Sequence, residues 1–106
     1  MSQDELMNLL KATGYPVAYS HFNSDKSPPY IVLLYAFSTD LIAENQNYVD
    51  IGNYQIELYT AIKDLEAEKK VQDKLKEAKL PYSKTEVWIK EEKLYQILYQ
   101  IQIIGG

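Results

Sequence analysis

The chain predicts a small α+β domain. The expected architecture is a mainly antiparallel sheet of four to five strands, packed against a long helix and a short N-terminal helix, in the order α-β-β-β-α-β-β. Three observations predict it. Between Tyr54 and Lys79 the apolar spacing changes from two residues to about 3.6. Tyr54, Ile56 and Leu58 alternate with Gln55, Glu57 and Tyr59, as in a half-buried strand, and Ala67, Val71, Leu75 and Ala78 then share one helical face. Leu94 to Ile104 has the cleanest alternation in the chain, with Tyr95, Ile97, Tyr99, Ile101 and Ile103 on one side. A length of 106 residues is enough for one domain and too few for two.

The elements follow in order. Ser2 to Thr13 reads as a helix, because Ser2 with Glu5 three residues later forms a capping box and Gly14 suits its end. Val17 to Phe22 reads as a strand with Val17, Tyr19 and His21 on one face. Asn23 to Pro29 is a turn, since Ser, Asp, Lys and two prolines break regular structure. Tyr30 to Phe37 is almost continuously apolar and suits a central strand covered on both faces. Ser38 to Asn53 is polar and reads as a long irregular loop, with short structure around Leu41 to Ala43. Asn53 to Ala61 is the third strand.

Lys63 to Lys79 is the long helix. Asp64 caps it, Glu66 and Glu68 favour its positive end, and Lys76 and Lys79 favour the other. Pro81 bars continuation. Tyr82 to Lys90 is a strand, Glu91 and Glu92 form a tight connection, and Leu94 to Ile104 returns to complete an antiparallel hairpin.

Composition narrows the function classes. Eleven basic residues against fifteen acidic ones give a charge of −4, without the basic excess of a nucleic-acid binder. With no cysteine, neither disulfides nor thiolate metal sites are available. No apolar run approaches the ~18 residues of a membrane span. The N-terminus carries acids where a secretory signal would carry Lys or Arg, so a cytosolic protein is expected.

No catalytic constellation stands out. His21 is the sole histidine and has no carboxylate or nucleophile in a motif with it. Asp40, Glu44, Asn45, Asn47 and Asp50 offer oxygens, but their spacing does not match a calcium loop. Adjacent Glu91 and Glu92 point to opposite sides of an extended chain. The four glycines form no phosphate loop. Ten tyrosines are many for this length, and Tyr59, Tyr95 and Tyr99 fit either a core or a surface covered only in an assembly.

Leu58-Tyr59-Thr60, Lys63-Asp64 with Glu68, Pro81-Tyr82 and Glu92-Lys93-Leu94-Tyr95 occur in an order that resembles the small tail-completion proteins of long-tailed phages and prophages of Gram-positive bacteria. These are also called tail-to-head joining or tail terminator proteins. Ala43-Glu44-Asn45 resembles the family's loop, where an Asp often holds the Glu44 place. The resemblance implies a structural role without enzymatic activity, cofactor or metal. Its subunits form a ring, typically of six, that halts the tail tube and presents a surface to the head. The implied partners are further copies of the chain, the tail-tube protein and a head-completion or neck protein, with no sequence-specific nucleic acid and no membrane. The implied locations are the host cytoplasm during assembly and then the virion. The isolated chain is expected to be mainly monomeric, because ring contacts are templated by the tube end. Expected assembly contacts are Asp40, Glu44, Asn45, Tyr48, Asp50, Glu57 and Tyr59. Two other classes stay open at this point: another virion neck or head-completion protein, and a small cytosolic α+β enzyme or binding module. A pocket with converging charges would mark the last of these, whereas flat polar faces and a mobile Ser38 to Asn53 loop would mark assembly.

Overall fold

The computed structural model describes residues 1–105. Helix α1 (Gln3–Lys11) begins as expected. Ser2 Oγ accepts from the Glu5 amide at 3.1 Å and Glu5 Oε1 accepts from the Ser2 amide at 3.2 Å. Strand β1 (Val17–Tyr19) is shorter than Val17 to Phe22, because Ser20 takes a positive φ of 69° and turns the chain out of the sheet. His21 therefore lies beyond the strand. Strand β2 (Tyr30–Ser38) follows. Two short strands, β3 (Leu41–Ala43) and β4 (Gln46–Val49), precede β5 (Ile51–Thr60).

Helix α2 (Leu65–Glu77) is 13 residues long, shorter than Lys63 to Lys79. Its ends are set chemically. Asp64 stays outside as the cap, its carboxylate accepting from the Ala67 amide at 3.0 Å. At the other end Lys79 adopts a left-handed φ of 57°. The Leu80 amide then reaches the Leu75 carbonyl and the Lys79 amide reaches Lys76, closing the last turn before Pro81. Strands β6 (Ser83–Ile89) and β7 (Leu94–Ile104) complete the chain.

Five strands form one sheet in the order β1-β2-β5-β7-β6. Every neighbouring pair is antiparallel except β1 with β2, so the sheet is mixed. The observed order is α-β-β-β-β-β-α-β-β, with two strands in the stretch expected to be irregular. Both helices cover one face. Cross-strand rows Ile31–Leu58–Ile97 and Leu33–Ile56–Tyr99 point into it and meet Leu6, Leu10, Ala67, Val71 and Leu75. The alternation seen in β5 and β7 is thus the core face. Tyr99 belongs to this core, fully buried, with its hydroxyl donating to Gln72 at 3.0 Å, whereas Tyr59 and Tyr95 are half-buried. Only Ile31, Val32 and Leu33 of β2 are buried. Tyr35 and Phe37 stand exposed, which corrects the expectation of a strand covered along its whole length.

Candidate assembly surfaces

Beyond the helices, β2 and β5 continue as an arm that ends in the β3–β4 hairpin. The molecule is accordingly elongated, 49 × 29 × 25 Å, with a radius of gyration of 14.7 Å against the roughly 13 Å of a compact chain this long. The arm is built by local chemistry. Glu44 and Asn45 have φ of 52° and 62° between the paired Ala43 and Gln46, making a two-residue turn of the kind that matches strand twist. Asn tolerates this conformation, whereas Glu44 bears a steric cost of order 1 kcal/mol. At the root, Asp40 accepts from the Ile51 amide at 2.8 Å and from Asn47 Nδ2 at 2.5 Å. Asn53 Nδ2 donates to Thr39 Oγ1 and to the Phe37 carbonyl, and Gln102 donates to Asn53 Oδ1.

The segment expected to be irregular is therefore a hydrogen-bonded hairpin. Its apolar side chains nevertheless face solvent: Leu41 is 53 % exposed, Ile42 67 % and Tyr48 70 %. Replacing Asp40 with Ala should loosen this root. The expected result is faster hydrogen exchange at the Ile51 amide and a loss of about 1 kcal/mol, with core protection in β7 unchanged. Equal exchange at Ile51 in both proteins would show that Asp40 does not hold the arm.

Among the described residues no helix or strand covers the sheet face opposite the helices. Its rows are Tyr30–Tyr59–Gln96–Val87, Val32–Glu57–Leu98–Thr85, Leu34–Gln55–Gln100–Ser83 and Phe37–Asn53–Gln102. Phe22 packs edge-on against Tyr30, which stacks on Tyr59, so one end of the face is partly closed. Glu57 lies between Val32 and Leu98 in the middle of the face. Burial pushes its carboxyl above the usual range, opposed in part by the hydrogen bond it accepts from Tyr59 at 3.1 Å. Tyr59 in turn accepts from Gln96 at 2.9 Å, and burial pushes its phenol up to about 12. Further along, a shallow depression of about 510 Å³ is lined by Phe37, Gln55, Ser83, Gln100, Gln102 and Ile104 among others, none of them charged.

The expected contact residues thus fall into separate places. Asp40 and Asp50 line one small depression at the arm root. Glu44, Asn45 and Tyr48 lie on the hairpin itself, and Glu57 and Tyr59 lie on the open sheet face. His21 is exposed, with Nδ1 3.3 Å from Ser20 Oγ. Among the described residues no three His, Cys, Asp or Glu side chains are grouped to hold a metal, and no helix is long and apolar enough to cross a membrane. Phe37, Ile104 and Trp88 are also about half exposed or more, although each sits in an apolar run or alternation that equally describes a core strand.

One polar cluster is centred on a buried carboxylate. Glu68 on α2 is buried at 2 % exposure, and its oxygens lie 2.6 Å from Lys63 Nζ and 2.5 Å from Lys84 Nζ, while Lys63 also pairs with Glu86. Burial alone would push the Glu68 carboxyl up. The two ammonium groups outweigh it and hold the carboxyl below the usual range. This cluster ties the start of α2 to strand β6.

No known protein family and no curated protein matches this chain.

Proposed function

We propose that the chain is a structural phage or prophage protein, a ring subunit that ends the tail tube and joins the tail to the head. The observation that carries this reading is the arm. A hairpin hydrogen-bonded at its root and bearing exposed Leu41, Ile42 and Tyr48 suits burial against another protein, because grouped exposed apolar side chains mark interaction sites. The arm also has a suitable charge. Asp40, Glu44 and Asp50 lie on it, and no basic residue occurs between Lys26 and Lys63. A surface of this sign lets DNA pass without gripping its phosphates. The turn at Glu44-Asn45 corresponds to the place where the family resemblance puts Asp, a residue that tolerates left-handed backbone better than Glu. The partners in this reading are other copies of the chain in a ring, the tail-tube protein and a head-completion or neck protein, first in the host cytoplasm and then in the virion.

The test is head–tail joining in extract complementation, beside electron microscopy of tails made with and without the protein. Tails lacking it should be overlong or headless. Ile42→Asp and Tyr48→Asp should melt within about 0.5 kcal/mol of the parent, as exposed substitutions do, yet abolish joining. Asp50→Lys is a further exposed probe, whereas Glu57 is half-buried and would confuse folding with assembly. Normal joining by both arm variants would refute the arm's role.

A further inference from the structure

Strand β6 is an edge of the sheet, and among the described residues its outer backbone groups have no strand partner. Edge strands of monomeric proteins are commonly short, bulged, proline-bearing or guarded by charges. The other edge, β1, follows this rule: it has three residues, Pro16 precedes it and a left-handed Ser20 ends it. Strand β6 does not. It runs seven residues in unbroken register against β7, without proline or bulge, and Ser83 to Trp88 are all exposed. Its two charged side chains are drawn inward over the helix-covered face, Lys84 to Glu68 and Glu86 to Lys63.

We infer that β6 pairs antiparallel with β6 of a second copy, about a two-fold axis centred on Thr85, joining two sheets into one. The occupant follows from charge complementarity. A two-fold perpendicular to the sheet keeps the helices of both copies on one side and places the axis on a residue, because paired residues then share a face. Centring on Lys84 or Glu86 sets like charges against each other. Centring on Val87 sets Lys84 opposite Lys90. Centring on Thr85 sets Lys84 of each copy opposite Glu86 of the other, pairs Thr85 with itself, and brings Tyr82 opposite Trp88. Two opposite-charge pairs, each extending an existing bridge to Glu68 or Lys63 of its own chain, and two aromatic pairs flank the axis. The inference does not rest on the tail reading. It departs from the expectation of a mainly monomeric isolated protein: contact through one strand pair gives a weak, concentration-dependent dimer.

Sedimentation of the full chain up to about 1 mM should show a monomer–dimer equilibrium. Glu86→Lys should weaken it about tenfold, since two attractive pairs become repulsive. The register is tested by oxidation, because the chain has no cysteine of its own. Antiparallel partners lie at a separation a disulfide can span. Thr85→Cys should cross-link with itself. Ser83→Cys and Val87→Cys should each stay monomeric when oxidised alone and should cross-link when mixed. A monomer throughout the concentration range, or self-linking of Val87→Cys as fast as that of Thr85→Cys, would overturn the inference. So would a higher oligomer in which Thr85→Cys does not cross-link.

Discussion

Replacing Lys63 and Lys84 together with Met should destabilise the protein by about 3–5 kcal/mol at neutral pH, the cost of leaving a buried carboxylate without its counter-charges. Glu68 is almost wholly removed from water, whereas Lys63 and Lys84 are 42 % and 36 % exposed at their side chains. The asymmetry decides which removal is worse. Without Glu68 the two ammonium groups can turn to solvent, so Glu68→Gln should cost clearly less. With Met in place of both lysines the carboxylate keeps its apolar cover and loses its two counter-charges. The pH dependence follows from the direction of the shift. In the parent the folded pKa of Glu68 is below its ordinary value, so its stabilisation is present above that ordinary value and is lost as pH falls through the folded one. In the double variant the same group, now buried and unpaired, takes up a proton more readily. The difference between the two proteins should therefore shrink as pH is lowered into the carboxylate range. Urea unfolding at several pH values measures it. A difference that is small at pH 7, or constant with pH, would show that the cluster does not carry this stability.

Leu58→Ala should cost about 2–5 kcal/mol, and Leu98→Ala clearly less, in the isolated chain. Leu58 is completely buried between Ile31 and Ile97 on the helix-covered face. Removing its side chain leaves a cavity that two strands and two helices cannot collapse into. Leu98 pairs with Glu57 on the same two strands but points to the open face, where it is half-buried and solvent fills the space. For a domain of this size each kcal/mol lowers the melting midpoint by roughly 4–8 °C, so thermal melts separate the two variants. Equal costs would mean that the open face is covered in the isolated protein.

These two leucines show how far the pattern could be read. The helix-facing side of β5 and β7 was legible because a period of two assigns every second residue to one face, and Ile56, Leu58, Ile97 and Tyr99 fall on it. The helix caps were legible too, because Ser2, Glu5 and Asp64 act on amides three residues away. The arm was not. In Ser38 to Asn53 the strands are short, the turn is Glu44-Asn45 without a glycine, and the holding bonds join residues far apart: Asp40 to Ile51, Phe37 to Asn53, Asn53 to Gln102. Of the expected contact residues, Glu44, Asn45, Tyr48 and Asp50 are exposed, whereas Glu57 and Tyr59 sit half-buried in a hydrogen-bonded row that periodicity does not reveal.

By itself the sequence determined what short-range chemistry controls: the residues that cap the helices, which residues of β5 and β7 share a face, and the acidic balance. Only the tertiary structure decided the parallel pairing of β1 with β2, the burial of Glu68 between Lys63 and Lys84, the exposure of Phe37 at the end of an apolar run, and which strand is left as an edge. The physical reason is range. Capping bonds and side-chain alternation act within a few residues. Whether an apolar side chain is covered, or a lysine meets a carboxylate, depends on elements that arrive from elsewhere in the chain.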